Sequence, residues 1–301
     1  MKLNDCSTLS TRQSIHKGEI ICRLCGSVSV RHLFTESSGG IDYANYYCSK
    51  CDLYQTLGDI SAISPDYIDL RESDIDSNHY WLQTGHKKTA FRQWSSLMHQ
   101  YSSTRIVPPL LIGSVMDIGC GVGGFLDYAS SQGLRTYGFD ASKAQVKKAQ
   151  KKHHSVRCCT DVHQYLSEFE LQNKINYVTM WDVFEHIREP QRVLSGIHRC
   201  LDPDGLLYIS VPNGASTMLK LYLARFLRKT PGLIPWEHVF YYTKRSLRVV
   251  LEKNGFIVKD IGAVVAYPRH ISMHEIIRRS GHLMLAKTRY AFQIYAVATP
   301  R

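Results

Sequence analysis

Val115-Met116-Asp117-Ile118-Gly119-Cys120-Gly121-Val122-Gly123-Gly124-Phe125 decides how this chain reads. A short apolar run closes after an acid, glycines follow among small residues, and a helical pattern begins at once. Glycine permits a tight turn and lets a ligand lie against bare backbone. A strand, a glycine turn and a helix N-terminus together form a cradle for a nucleotide-like ligand. Two more acids follow: Asp140 ends the apolar run over 134–140, and Asp161 follows the run over 156–160. Acids at the ends of successive strands suit the ribose and the base of an adenosine.

From Leu110 onward, apolar runs alternate with helical patterns, the order of a parallel sheet covered on both faces. Strands are expected over 114–118, 134–140, 156–160, 175–181 and 206–211, with closing strands over 256–265 and 290–299. Helices are expected over 122–132, 143–153, 190–201 and 244–254. The third begins at Pro190, suited to a first turn, and repeats Val193, Leu194, Ile197, Cys200 and Leu201 at helical spacing. Asp202-Pro203-Asp204-Gly205 is expected to stop it. The fourth has Thr243 as its N-cap and Gly255 just past its end. The expected fold class is α/β: a Rossmann-like seven-stranded sheet with helices on both faces, plus a small N-terminal zinc-ribbon-like module. Residues 1–60 form that module in this reading, 61–112 a helical cap and linker, and 113–301 the α/β domain.

The chain has 301 residues, of which 44% are apolar, enough for one large packed domain and a small module. No apolar run is long enough to span a bilayer, and the polar start Met1-Lys2-Leu3-Asn4-Asp5-Cys6 lacks a signal-peptide segment. A cytoplasmic protein is the expectation. The net charge of +11 points to an anionic partner: nucleic acid, a phosphorylated or carboxylated small molecule, or a membrane surface. Part of that charge, Lys147, Lys148, Lys151 and Lys152, reads as one solvated helix face.

Four of the nine cysteines form two C-x2-C knuckles, Cys22-Arg23-Leu24-Cys25 and Cys48-Ser49-Lys50-Cys51. Two such pairs at this separation suit a tetrahedral four-sulfur zinc site. A redox C-x-x-C needs no second pair. A closed site of this kind leaves no coordination position for catalysis, and its effect is to fold a segment too small for its own core. Cys6, Cys120, Cys158, Cys159 and Cys200 read as core or surface thiols.

Gly119, Gly121 and Gly124 also satisfy the G-x-G-x-x-G dinucleotide pattern, so an NAD-dependent oxidoreductase is one reading of the loop. Other features favour a different ligand. Asp117 precedes the first glycine, Asp161 adds an acid after the third strand, and two strands close the chain where a hydride-acceptor domain would need room. The ordered motifs are Asp117-Ile118-Gly119-Cys120-Gly121-Val122-Gly123, Gly138-Phe139-Asp140, Thr160-Asp161-Val162, Asp182-Val183-Phe184-Glu185-His186-Ile187, Val211-Pro212-Asn213 and Glu237-His238-Val239-Phe240. Together they resemble the class I S-adenosylmethionine-dependent methyltransferases over 113–301. Within that class the chain is similar to the small-molecule branch of ubiquinone-pathway O-methyltransferases and natural-product sugar methyltransferases. The cysteine module resembles that of sugar C-methyltransferases.

The resemblance implies S-adenosylmethionine as cofactor, with Gly119 and Gly121 along its methionine portion. Asp117 organises the loop or meets the ammonium group. Asp140 would accept from both ribose hydroxyls, Asp161 would meet the adenine amino group, and Val162 would supply a backbone donor. In the ubiquinone branch a Glu-x-x-Glu-His segment is linked to a divalent metal; here the shorter Asp182 stands at the first acidic position, and the resemblance implies Mg²⁺, or alternatively Zn²⁺, at Asp182, Glu185 and His186. His186 is alternatively a general base, or a pocket-shaping residue with Glu185. His238 is the second candidate base, or a residue that pins its loop. Asn213 orients substrate or caps a turn.

Tyr80 and Trp81, in a helix near 78–101, would lie over the cofactor, with Lys87 and Arg92 as partners for its carboxylate. The stretch 216–229 reads as a basic amphipathic helix: a peripheral membrane contact, a lid or a dimer surface. The basic insertion 270–289 reads the same way. The acceptor implied is a hydroxyl on a small sugar-like, anionic or lipid-linked metabolite. RNA is the alternative acceptor, although no aromatic-basic recognition motif supports nucleic acid.

Overall fold

The computed structural model describes residues 20–38, 41–57, 86–102, 111–152, 155–170, 174–227, 238–264 and 288–301. Cys6, Tyr80, Trp81, the linker from 103 on, Glu237 and most of the insertion 270–289 lie outside them, as do the side chains of Lys87 and Arg225.

Two sheets organise these residues. The larger has the order β10-β11-β8-β7-β4-β5-β6. Its strands are β4 (Ser114–Ile118), β5 (Arg135–Asp140), β6 (Val156–Cys158), β7 (Ile175–Trp181), β8 (Leu201–Pro212), β10 (Phe256–Ala263) and β11 (Gln293–Pro300). The strands from β6 through β8 are parallel, and β11 runs antiparallel between β8 and β10. β4 is buried throughout, as expected of a strand covered on both faces. The chain builds outward from β4 to β6, then crosses back to lay β7 on the other side of β4. The C-terminal ends of β4 and β7 thus form a topological switch point, where open parallel sheets bind ligands.

The helices are α1 (His86–Tyr101), α2 (Gly124–Ser131), α3 (Lys143–Gln150), α4 (Val162–Glu170), α5 (Pro190–Cys200), α6 (Gly214–Phe226) and α7 (Lys244–Lys253). α4 has no counterpart in the sequence reading, where Asp161 stood as a ligand group or, alternatively, a strand-end cap. The structure uses Asp161 Oδ1 to accept from the backbone N–H of His163 and Gln164, at 2.9 and 3.2 Å, which caps the helix. α5 passes straight into β8, so the expected stop at Asp202-Pro203-Asp204-Gly205 is the first part of a strand. Its pairing with β7 is irregular there, where Pro203 has no N–H to give.

The smaller sheet is antiparallel, in the order β1 (Val30–Ser38), β2 (Ile41–Cys48), β3 (Leu53–Leu57) and β9 (Phe240–Tyr241). Its last strand comes from far along the chain. β9 pairs Tyr241 with Tyr54 and Phe240 with Gln55. Cys22, Leu24, Cys48, Cys51 and Leu53 accordingly lie in one hydrophobic cluster with Met116, Ile118, Phe184, Leu247 and Phe256 of the large sheet and its helices.

Thr243 joins the two regions. Its hydroxyl accepts from the Ser246 N–H at 3.3 Å and donates to the Asp52 carbonyl at 2.8 Å, while the Ser246 hydroxyl accepts from the Thr243 N–H. Thr243→Val keeps the shape and removes both hydroxyl contacts. The expected loss of about 1–3 kcal/mol is measured by denaturant unfolding, with the midpoint shifted and the slope unchanged.

Candidate functional site

The C-terminal ends of β4, β5 and β7 enclose a cleft of ≈ 300 Å³. Asp117, Gly119, Gly121 and Asp140 line it, as do Phe91, Phe125, Gln145, Trp181, Asp182 and Val183. Gly119 and Gly121 have φ of +74° and +54°, in the left-handed region. A Cβ on Gly119 would fall 2.3 Å from Val183 Cγ2, so space as well as torsion demands glycine there. The N–H groups of Gly119 and Cys120 both donate to the Phe139 carbonyl, at 2.9 and 3.1 Å, which folds the loop over β5.

Asp140 takes the Gly121 N–H on Oδ2 and the Ser142 N–H on Oδ1, both at 2.9 Å. Burial raises its carboxyl above the usual value, against the opposing effect of these N–H groups and that of Ala141. A carboxylate oxygen has more than one lone pair, so Asp140 can hold the loop and still accept from a ligand. Asp117 is buried and accepts from Thr179 Oγ1 at 2.7 Å. Asp161 and Val162 are not among the walls of the cleft; they sit at the start of α4, beyond β6. Arg92 is exposed and is not a wall either, whereas its neighbour Phe91 is. Phe91 and Phe125 stand against Trp181 at centroid distances of 5.1 and 5.3 Å. The signal for Trp181 was its place at the end of the fourth apolar run; Phe91 shares its helix face with Trp94 and Met98, where core and ligand wall read alike.

Past Trp181 the chain turns sharply. Asp182 has φ of +56°, its N–H donates to the Ser210 carbonyl at 3.0 Å, and its Oδ1 accepts from Gln293 Nε2. A 3-10 turn over Phe184–His186 then brings the His186 ring to 4.7 Å from His238, edge to face. Nitrogen or oxygen atoms of Glu185, His186 and His238 all lie within 4.8 Å of one another. Among the described residues this group does not include Asp182, so the expected Asp182-Glu185-His186 set for Mg²⁺ is not brought together. The group present has two imidazoles and one carboxyl, which does not fit an ion that wants an octahedron of oxygens.

Glu185 is 2% exposed, and neither carboxyl oxygen has a hydrogen-bond partner. Burial, and then the charge of Asp182, push it well above the ordinary carboxyl range, which favours the neutral acid. Burial, and then the charge of His186, lower His238 to about 4, so its imidazole is neutral at pH 7. Asn213 is a structural residue: Nδ2 donates to the Arg289 and Ala291 carbonyls, at 2.8 and 2.6 Å, and Oδ1 caps the Ala215 N–H.

The four expected cysteines converge. Cys22 and Cys51 sulfurs are 3.6 Å apart, as are those of Cys25 and Cys48, and all four lie within 4.8 Å. A zinc ion bound at about 2.3 Å needs sulfurs roughly 3.8 Å apart, so the residues fit zinc. These separations are far too long for disulfides. The hydrogen bond from Cys51 lowers Cys22 to about 5, which favours a thiolate there. The first knuckle and β3, the strand that follows the second knuckle, hold the histidine-bearing segments. Arg23 Nη2 donates to the Arg188 carbonyl at 3.1 Å, and Gln191 Nε2 donates to the Arg23 carbonyl at 3.2 Å. The Thr56 N–H donates to the Val239 carbonyl at 3.0 Å, and the Val239 N–H donates to the Glu185 carbonyl at 3.1 Å.

A family profile described as a methyltransferase domain matches residues 79–260. The ubiquinone biosynthesis O-methyltransferase of Pseudomonas aeruginosa strain UCBPP-PA14 is 31% identical over 103 residues, covering 33% of this chain and 44% of that protein. The C-methyltransferase NovU of Streptomyces niveus is 29% identical over 114 residues, covering 35% of this chain and 25% of that protein. The chain thus spans less than half the length of these curated relatives. Among solved structures, the plantazolicin methyltransferase BpumL in complex with SAH superposes with a TM-score of 0.53 at 18% identity, covering 79% of this chain and 94% of that one. That likeness concerns the fold alone. The profile covers more than half of the sequence, and the strand order, the glycine loop and the switch-point cleft agree with it: the chain belongs to the methyltransferase-domain family, with the class I architecture, and not to the dinucleotide oxidoreductases.

Proposed function

We propose that the chain transfers the methyl group of S-adenosylmethionine to a hydroxyl of a small metabolite, with His238 as the general base. The observation that carries this reading is a neutral, half-buried imidazole 4.7 Å from that of His186, which lies on the turn that follows Asp182 and Val183 of the cleft wall. The O-methyltransferase relatives support oxygen as the acceptor atom.

In this reading the backbone of Gly119 and Gly121 lies along the methionine portion, Asp140 accepts from the ribose hydroxyls, and Asp161-Val162 meets the adenine. The bound donor supplies an activated methyl on a sulfonium. The protein must align the acceptor behind that methyl and keep water out. Phe91, Phe125 and Trp181 supply apolar wall for this. As the acceptor oxygen bonds to the methyl carbon and the carbon–sulfur bond breaks, His238 takes the hydroxyl proton. The positive charge leaves the sulfonium as it arrives on the imidazole, so the net charge of the pocket is constant. That makes a buried base tolerable, since desolvation penalises an added charge more than a moved one. Glu185 lies buried beside the ring pair, where burial disfavours its charged form.

A carbon acceptor is the second reading, favoured by the NovU likeness and the four-cysteine cluster; the same base would then take a proton from carbon beside a carbonyl. Mass spectrometry of products made with isotope-labelled donor separates the two. Calorimetry with S-adenosylhomocysteine should show binding, and transfer to hydroxylated acceptors should fall by about 100-fold or more in His238→Asn. No heat, or an undiminished His238→Asn, defeats the proposal.

The pH profile makes a sharper test. A base is active when deprotonated, and His238 stays so down to about 4 rather than to 6.5. The acid limb of kcat/KM is expected below the ordinary imidazole range. His186→Asn removes a like charge and should move that limb upward, although burial, the larger cause, keeps it below 6.5.

The cysteine centre predicts a different readout. One zinc per chain is expected by elemental analysis. Chelation, or Cys48→Ser, should speed hydrogen exchange at the amides of Thr56 and Val239, since these bonds connect the knuckles to the Glu185 turn. Unchanged exchange at both would show that the metal does not support this connection.

A further inference from the structure

α6 is apolar on two faces, and the fold explains only one. Met218 and Leu221 pack inward against Phe34 and Tyr241. On the outer face Leu219, Leu223 and Phe226 are exposed, Phe226 to 83%, Leu227 continues the strip past the helix end, and the half-exposed Tyr222, edge to face with Phe34 at 6.1 Å, stands at its margin. Their spacing places them on one stripe of the helix. Surface residues of this kind scattered singly need no explanation, but a contiguous strip marks an interaction surface.

Charge chooses the occupant. From Gly205 to Trp236 the sequence contains no Asp or Glu, while it contains Lys220, Arg225, Arg228 and Lys229. We propose that the outer face of α6 docks the protein on an anionic lipid surface, with the apolar strip at the acyl boundary and the positive charge of this acid-free stretch attracting the headgroups. Amphipathic helices that lie in a membrane interface combine these two features. A second copy of the chain fits worse, because a symmetric contact would bring like-charged helices together with no acid to pair them.

The neighbouring segment extends the same face. Lys220 Nζ lies 4.3 Å from the centroid of Phe292, and Phe292 and Tyr290 are both partly exposed. Aromatic rings at such a margin favour the headgroup region. Residue 293 follows at once, and its amide donates to Asp182 on the wall of the cleft. The docked face therefore adjoins the cleft, which would admit an acceptor that partitions into lipid. This last point rests on the methyl-transfer reading, whereas the docking itself does not.

The test is sedimentation of the full chain with vesicles of phosphatidylcholine alone or containing phosphatidylglycerol. Binding to the anionic vesicles, weakened by salt, is expected. Phe226→Asp with Leu223→Asp should weaken it at least about tenfold, and the milder Phe226→Ser should weaken it measurably should the double variant misfold. Circular dichroism and S-adenosylhomocysteine binding report on the fold and the cleft separately. Equal binding to neutral vesicles, full binding by folded variants, or no vesicle binding by the wild type overturns the proposal. Concentration-dependent self-association that is lost in Phe226→Ser, without vesicle binding, would assign the strip to a second copy instead.

Discussion

Val239 sits between two backbone hydrogen bonds, and the candidate chemistry depends on them. Its carbonyl accepts from Thr56 of the cysteine sheet, and its N–H donates to the carbonyl of Glu185. One residue earlier is His238; one residue after Glu185 is His186. Two peptide groups therefore set the separation of the two imidazoles. The same residue continues into β9, whose two strand pairs lock it to β3. A two-residue strand has little stability of its own. What holds it is the buried Phe240 and Tyr242, and Thr243, whose hydroxyl reaches Asp52 beside Cys51. The four-cysteine centre is remote from the cleft in chemistry and yet underlies the geometry of the histidine pair.

The turn after β7 obeys a second constraint. Asp182 adopts a left-handed conformation that a side chain rarely tolerates, one for which aspartate is among the better non-glycine residues. Backbone strain of this sort persists where surrounding contacts over-determine it. Here the Asp182 N–H is bound to Ser210 and its carboxylate to Gln293, so β8 and β11 both hold it. The turn directs Phe184 inward onto Tyr242, with ring centroids 5.1 Å apart, and leaves Glu185 buried beneath the histidines. Burying a carboxyl with no hydrogen-bond partner and only the His186 ring nitrogen at 3.9 Å is unfavourable to its charged form, and its neutral form is favoured.

The parts legible in the sequence were those with local signals. Alternating apolar runs and helices, Pro190 at a first turn, Thr243 at a cap and the glycine loop all depend on residues close together in the chain, and apart from the unforeseen α4 and the early start of β8 they stand close to where they were expected. The paired cysteines are distant from each other, but their chemistry is specific enough to announce itself. β9 was not legible, because Phe240 and Tyr241 become a strand only by pairing with residues nearly two hundred positions earlier. Nor was the exchange of Asp182 for His238 beside Glu185: spacing in sequence places Asp182 one turn from Glu185, but the left-handed backbone turns its carboxylate away to Gln293. Asp161 shows the reverse problem, since a residue type suited to adenine is equally suited to the N-terminus of α4.

The charge distribution follows from these placements. The chain is strongly basic overall, yet its cleft carries Asp117, Asp140 and Asp182, with Glu185 just behind. A cationic donor would be repelled by the general surface and attracted by this edge of the sheet. Four full negative charges in so small a region would repel one another at considerable cost. The structure avoids this by unequal burial. Asp117 is held by Thr179 and Asp182 by Gln293, while burial raises Asp140 and, more strongly, Glu185 toward their neutral forms. The arrival of a sulfonium favours ionisation of the acids around it. The negative character of the cleft is therefore expected to grow as the donor enters, and to fall again once the methyl group and its charge have moved on.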